Sequence, residues 1–106
     1  MTLVRGAALE TLVRGTTHTR AGPNSPTEHF AAQGDAYTLA YDRPDTRGRY
    51  RVTPDRVCLR FPDERSVFCR FYLTDPAGAV WMAEDDRDYP LRPVSVTVTP
   101  ASQGPR

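Results

Sequence analysis

The chain has 106 residues, with 39% apolar and 25% charged side chains and a formal charge of +1. This length supports one compact domain, and the composition is typical of globular proteins and not of disordered or fibrous ones. No apolar run approaches the roughly 18 residues that span a bilayer, and the near-neutral charge argues against nucleic acid as a partner.

A helical pattern occupies the N-terminus. It predicts a short helix over about residues 6–14, ended by Gly15 in the left-handed conformation. The apolar stripe of this helix comprises Ala8, Leu9, Leu12 and Val13. After Gly15 the helical period disappears, and Thr16, Thr17 and Thr19 favour an extended segment because β-branched side chains suit a pleated surface.

Short apolar or alternating runs follow from Glu28 onward, separated by turn residues such as the segment RPDTRG at 43–48. Turn signals at about every 8 to 12 residues, without helical segments between them, predict an antiparallel meander of about seven or eight strands. The expected fold is therefore all-β, a small barrel of lipocalin-like type or a sandwich. The domain is expected to span residues 1–99, and 100–106 reads as a frayed tail.

Period-2 alternation predicts which side chains share a face of this sheet. One predicted core face is formed by Tyr37, Leu39 and Tyr41, and another by Val57, Leu59 and Phe61.

The two cysteines, Cys58 and Cys69, stand on either side of the turn sequence PDE. Pairing Phe61 with Ser66 in a hairpin places Cys58 directly opposite Cys69. Directly opposed residues of a non-hydrogen-bonded antiparallel pair are close enough for a disulfide. The geometry permits the bond, and two buried free thiols are the alternative. A disulfide indicates an oxidising compartment.

The order of features resembles a known group. A Gly-Thr strand, the segment HFAAQG, then GRYRV, VCLRF and VFCRF occur in sequence over roughly residues 8–82. The pattern resembles small exported proteobacterial proteins grouped as domains of unknown function. In these a G-x-[Trp/Tyr] strand, here Gly48 and Tyr50, precedes a two-cysteine hairpin. The resemblance implies a lipocalin-like barrel, and no activity comes with it.

Catalytic and metal-binding patterns are weak. The only imidazoles, His18 and His29, are interpreted as polar, partly exposed strand residues, and there is no G-x-S-x-G elbow, zinc-ligand spacing or glycine-rich phosphate loop. The acidic run that could offer oxygen ligands to calcium lacks the usual spacing and is interpreted as a solvated turn. It comprises Glu84, Asp85, Asp86 and Asp88. We expect no catalytic residue, metal or cofactor.

Three aromatic residues, Trp81, Tyr50 and Tyr41, are the candidate binding residues. An aromatic side chain at the mouth of a barrel is what a small-ligand site would use, although packing in the core is the commoner role. A ligand-binding barrel should have a cavity of several hundred Å³ near Trp81. An interaction module should instead have a filled core and an exposed apolar patch.

Charge is distributed unevenly along the chain. Residues 43–70 hold eight arginines, whereas residues 71–90 hold five acidic residues and one arginine. Such a separation can guide association with a partner, or it can be an ordinary solvated surface. The candidate charge patch comprises Arg47, Arg49 and Arg51.

These observations favour a non-catalytic binding or interaction module whose partner is another protein or a small apolar ligand. A structural or accessory subunit of a larger assembly is the alternative, and a small hydrolase is the third. The cysteine pair favours a periplasmic or secreted protein. A cytoplasmic location is the alternative, since Arg5, Glu10 and Arg14 interrupt any signal-peptide core.

Overall fold

The computed structural model describes most of the chain, namely residues 1–20, 25–40, 46–62, 65, 67–84 and 91–98. Three predictions lie outside these residues: the position of Tyr41, the frayed tail at 100–106 and most of the acidic run, Asp85 to Asp88. The described residues contain one helix, α1 (Ala7–Val13). They also contain nine strands: β1 (Thr2–Leu3), β2 (Thr16–Arg20), β3 (Thr27–Phe30), β4 (Ala36–Ala40), β5 (Thr46–Val52), β6 (Val57–Arg60), β7 (Phe68–Thr74), β8 (Val80–Glu84) and β9 (Arg92–Val98).

The sheet closes into a barrel. Strands β2 to β9 each pair antiparallel with the next in sequence, and β9 returns to pair with β2. This closure confirms the predicted all-β barrel with about eight strands, and it is incompatible with the sandwich alternative because no strand from β2 to β9 is left as a sheet edge. The additional strand β1 lies along β7, with Thr2 opposite Thr74 and Leu3 opposite Leu73.

Two strands, β1 and β5, differ from the sequence prediction. Strand β1 was not predicted, because two residues are too few to show a period, and its pairing depends on distant β7. The segment 43–48 was predicted as a turn, but β5 begins at Thr46, which lies opposite Leu39 of β4. Backbone pairing with β4 therefore outweighs the local turn preference of these residues.

Helix α1 covers one end of the barrel, which we call the closed end. It contacts β2 and β5, and Leu9 and Val13 are completely buried. The prediction of a four-residue apolar stripe is only partly right, since Leu12 is half-buried and Ala8 is exposed. This short helix covers the barrel end by packing two side chains, Leu9 and Val13, into it. Gly15 follows with φ of 69°, as predicted, and its N–H donates to the Phe30 carbonyl at 3.0 Å.

The barrel interior is packed with aromatic and aliphatic side chains. Strand β5 shows the alternation clearly: Tyr50 is buried, whereas Arg49 and Arg51 are exposed. Of the two predicted faces, Tyr37, Val57 and Leu59 are buried, and Leu39 and Phe61 are half-buried. The largest fully buried apolar side chains include Phe30, Tyr37, Tyr72 and Met82.

The predicted disulfide is present. Cys58 lies directly opposite Cys69, and their sulfur atoms are 2.15 Å apart. The flanking pairs, Val57 with Arg70 and Leu59 with Phe68, show the predicted register. Ser66, which the prediction placed opposite Phe61, lies outside the described residues. The alternative of two free thiols is therefore wrong.

No helix in the described ranges is long and apolar enough to cross a membrane. Within the same ranges, no group of three or more histidine, cysteine, aspartate or glutamate side chains is placed to hold a metal ion.

Candidate binding cleft at the open end of the barrel

The barrel end opposite α1, where β2, β4, β6 and β8 finish, holds a cleft of about 480 Å³. We call this the open end. One wall of the cleft is apolar and consists of Leu39, Leu59, Phe61, Val67 and Phe68. Val67 and Phe68 are 52% and 48% exposed, and exposed apolar side chains grouped beside a cleft are typical of binding sites. The ring of Phe61 lies between those of Tyr37 and Phe68, at centroid distances of 5.8 and 6.3 Å.

Arg20, Tyr37 and Arg70 form the polar floor of the cleft. All three side chains face the carboxylate of Glu28, which is buried beneath the floor. The Nη1 atom of Arg70 lies 2.7 Å from Oε1 and 2.6 Å from Oε2 of Glu28, and the hydroxyl of Tyr37 donates to Oε2. Burial by itself raises the pKa of Glu28, but the guanidinium groups of Arg70 and Arg20 outweigh it and hold this pKa below its usual value. Burial raises the pKa of Tyr37, and the neighbouring carboxylate adds to the effect. Glu28 is thus an ionised acceptor and Tyr37 a neutral donor.

Arg20 belongs to this floor, but it is poorly satisfied. Its Nη2 atom is 3.6 Å from Oε2 of Glu28, an ion-pair distance that is too long for a hydrogen bond. Its Nε atom is buried and has no hydrogen-bond partner among the described residues. A buried N–H without a partner costs free energy, so this guanidinium has unused donor capacity next to the cleft.

A chain of hydrogen bonds connects this floor to the closed end. Arg70 Nη1 lies 3.5 Å from the Tyr72 hydroxyl, which is 3.2 Å from Nδ1 of His18. The other ring nitrogen, Nε2, is 3.0 Å from the carbonyl oxygen of Leu12. Because a carbonyl only accepts, Nε2 carries the proton and Nδ1 accepts from Tyr72. These hydrogen bonds fix the tautomer of His18 and the direction in which the Tyr72 hydroxyl donates.

The prediction that His18 is partly exposed is wrong, since its side chain is completely buried. It packs against the rings of Phe30 and Tyr72, with centroids 4.8 and 5.2 Å away. Burial lowers the pKa of His18, and the bond to the Leu12 carbonyl opposes this only partly. The imidazole is held neutral, and both of its nitrogens are already engaged. His29 is exposed on the outer face, where its Nδ1 lies 3.0 Å from the Thr17 hydroxyl.

Two of the predicted binding aromatics, Trp81 and Tyr50, do not line the cleft, and the third, Tyr41, lies outside the described residues. Trp81 lies on the outer face, opposite Leu73 and Pro93, and its Nε1 donates to Asp75 Oδ2 at 3.1 Å. The cleft therefore does not lie at Trp81, where the sequence placed it, because strand alternation turns this side chain away from the interior. Tyr50 is a core residue, and its hydroxyl donates to the carbonyl of Ala31.

The predicted charge patch lies on the outer face of β5. Arg47, Arg49 and Arg51 are exposed, and Arg49 lies directly opposite the exposed Arg60 of β6. An ion pair at 3.3 Å joins Arg49 to Asp35. The wider basic stretch is not one surface, however, because Arg70 alternates inward and is buried against Glu28.

The sequence interpretation missed Arg20, Glu28 and Arg70 as a group. A signal was present, since Glu28 shares its strand face with Phe30 and Arg70 shares its face with Tyr72. Sequence alternation placed these charged residues on core faces without showing that they meet.

Comparison of the chain with protein-family models, with curated proteins and with solved structures finds no match.

Proposed function

We propose that this protein is a non-catalytic binding module that holds a small organic ligand in the cleft at the open end. The observation that carries this proposal is the cleft itself, which joins an apolar wall to a charged floor. Its volume of about 480 Å³ falls within the roughly 300–1,000 Å³ typical of small-molecule sites. Apolar walls supply affinity, and a few fixed polar groups orient the ligand.

The filled core limits how deep such a ligand can enter. Tyr72 and Met82 occupy the interior and are no more than 1% exposed. The ligand therefore lies on Arg70 and Tyr37, above the buried carboxylate of Glu28 and near the ends of the strands. A closed barrel holds these groups rigidly, which reduces the entropy lost when a ligand binds.

A non-catalytic role is supported by the chemistry of the two histidines. General-base catalysis needs an imidazole nitrogen directed at a reacting group, and both nitrogens of His18 are engaged inside the core. His29 is exposed beside the Thr17 hydroxyl, and no carboxylate among the described residues hydrogen-bonds to its ring. A small hydrolase therefore has less support than a binding module.

A second candidate is an accessory subunit that docks through its outer face. It is favoured by the exposed arginines of β5 and β6, where Arg49 and Arg60 are directly opposed. Like charges in this arrangement lower the stability of a sheet, so a binding role would explain their placement.

We also propose that the protein is periplasmic or secreted. The disulfide between Cys58 and Cys69 supports this, because such bonds persist in oxidising compartments. A closed barrel with a two-cysteine hairpin also agrees with the resemblance to small exported proteins and with a lipocalin-like character.

The test is titration of the oxidised full chain with the neutral, environment-sensitive dye N-phenyl-1-naphthylamine, followed by fluorescence. Leu39→Trp enlarges a wall residue into the cleft, and Ala77→Trp adds the same side chain at the exposed β7–β8 turn as a matched control. We expect Leu39→Trp to weaken dye binding at least about tenfold and Ala77→Trp to leave it unchanged, provided that both variants keep the wild-type melting temperature. No dye binding by the wild-type protein, or equal binding by both variants, would contradict the proposal.

A further inference from the structure

We infer that the ligand of the cleft is a small organic anion with an apolar body, and that Arg20 holds its anionic group. This inference rests on the proposed function, because it concerns the same cleft. It adds the sign of the ligand's charge and the residue that recognises this charge.

The charged groups beside the cleft floor are unequally paired. Two guanidinium groups, those of Arg20 and Arg70, face one carboxylate, that of Glu28. Arg70 and the Tyr37 hydroxyl already donate to both oxygens of Glu28. Among the described residues, Arg20 is therefore left with only the longer ion pair to Glu28, in a region where the low dielectric strengthens electrostatic attraction.

Arg20 has hydrogen-bond donors that its described neighbours do not use. A guanidinium has five N–H donors, yet among the described residues Arg20 makes one ion pair at 3.6 Å and its buried Nε has no hydrogen-bond partner. Its side chain is only 14% exposed, so water reaches little of it. Arg20 lines the cleft, and a carboxylate placed there would accept the charge-assisted hydrogen bonds that Glu28 does not supply.

Two other charged groups belong to the same side of the barrel. Glu84 lines the cleft and lies opposite Arg70 in register, but it forms no ion pair with the described residues. Arg92 lies opposite Met82 on the inward face of β9 and has a partner of its own. Glu84 is half-buried at the mouth, where its carboxylate weakens the attraction for an anion.

The apolar wall defines the rest of the ligand. Leu39, Phe61 and Phe68 stand above the floor. A strongly hydrated ion such as free phosphate would leave this wall exposed to water, whereas an alkyl or aromatic carboxylate would cover it. The cleft therefore fits a monoanionic carboxylate with a hydrocarbon body.

The experiment uses three probes with one chain length and different charge: octanoate, octanol and octylamine. Each is titrated into the oxidised full chain by isothermal titration calorimetry at pH 7. We expect octanoate to bind at least about tenfold more tightly than octanol, and octylamine to bind most weakly.

Two variants separate the roles of the charged residues. Arg20→Met removes the charge with little loss of volume and should reduce octanoate affinity to that of octanol. Glu84→Gln should strengthen octanoate binding several-fold and leave octanol binding unchanged. If Arg20→Met does not fold, Arg20→Lys, which keeps the charge but loses the planar fork, should retain a preference for octanoate that is smaller than in the wild type.

The inference is overturned if octanol binds the wild type as tightly as octanoate. It is overturned as well if Arg20→Met leaves the ratio of the two affinities unchanged. If Arg20→Met does not fold, an unchanged ratio in Arg20→Lys has the same meaning. It is also overturned if none of the three probes binds while N-phenyl-1-naphthylamine does, and the proposed function then remains. Absence of binding by the dye and by all three probes overturns the proposed function itself.

Discussion

A single atom of Arg70, Nη1, bonds both carboxylate oxygens of Glu28 inside the barrel, at 2.7 and 2.6 Å. The two residues are 42 positions apart in the sequence, and they are 6% and 1% exposed. Burying this pair removes hydration from both charges, so the stability of each depends on the other. Arg70 also lines the proposed ligand cleft, so this one ion pair supports both the fold and the site.

Removing the charge of Glu28 should lower the stability of the whole barrel. We expect Glu28→Gln to reduce the free energy of unfolding by about 3–5 kcal/mol, because Arg70 stays buried without its counter-charge. Urea unfolding measures this change. The double variant with Arg70→Met should lose less than the sum of the two single changes. Glu10→Gln, which affects only the exposed pair with Arg14, is the control and should cost less than about 1 kcal/mol. Equal losses for Glu28→Gln and Glu10→Gln would contradict the buried pair.

Protonation of His18 should destabilise the fold in mild acid. Burial holds its pKa below the usual value in the folded state. The unfolded chain therefore binds a proton first, so stability present above about pH 6.5 is lost as the pH falls toward the folded-state pKa. His18→Gln keeps a donor for the Leu12 carbonyl but cannot titrate. Its melting temperature should change less than that of the wild type between about pH 6.5 and 5.

His29→Gln is the control for this measurement, because His29 is exposed on the outer face. It should keep the wild-type pH profile. A profile that is flattened equally by His18→Gln and His29→Gln would show that the buried imidazole is not the source. Glu28 has a lowered pKa as well, and its contribution is lost only as the pH falls below about 4.5.

Reduction of the disulfide should lower the melting temperature. Cys58 and Cys69 are separated by 11 positions, and closing a loop of this size stabilises a protein by about 3 kcal/mol on the chain-entropy model. The oxidised protein should also be lighter than the reduced one by two hydrogen atoms in intact-mass measurement. The double variant Cys58→Ser, Cys69→Ser should melt like reduced wild type and not respond to reductant. Identical melting of oxidised and reduced protein would be the contrary result.

Gly48 should not tolerate a side chain. A Cβ at this position would lie 2.7 Å from the Arg60 carbonyl oxygen and 2.9 Å from the ring of Phe61. Gly48→Ala should therefore destabilise the protein by about 1–3 kcal/mol, since the β5–β6 backbone or the ring must shift. In a Phe61→Leu background the cost should fall but persist, because the backbone contact remains. A neutral effect of Gly48→Ala in urea unfolding would argue against this close packing.

The arginines of β5 should affect association and not folding. Replacing Arg47, Arg49 and Arg51 with serine leaves the inward Tyr50 untouched, so we expect wild-type melting. Binding to immobilised polyglutamate, a model acidic partner, should lose association rate more than it gains dissociation rate. Added salt should reduce the wild-type association rate, because exposed charges are screened beyond about 8 Å at physiological ionic strength.

Removing charge elsewhere provides the control. The double variant Arg5→Ser, Arg65→Ser changes two exposed arginines outside β5 and should slow association much less. An association rate that does not respond to salt or to the triple substitution would mean that the outer face of β5 is an ordinary solvated surface.

Local sequence determined much of the architecture. The helix ending before Gly15 and the alternation around Tyr50 follow from side-chain periodicity, which acts within a few residues. The disulfide register was predictable for the same reason, since one hairpin turn fixes the pairing of Cys58 with Cys69.

The tertiary structure alone decided the closure and the site. Closure depends on β9 returning to β2, and nothing local distinguishes this pairing from a sandwich. Alternation shows which residues share a face, but a charged residue can be buried only where distant strands bring it a partner. Glu28 and Arg70 therefore became interior residues, His18 lost its contact with water, and Trp81 stayed outside, because eight strands met around one axis.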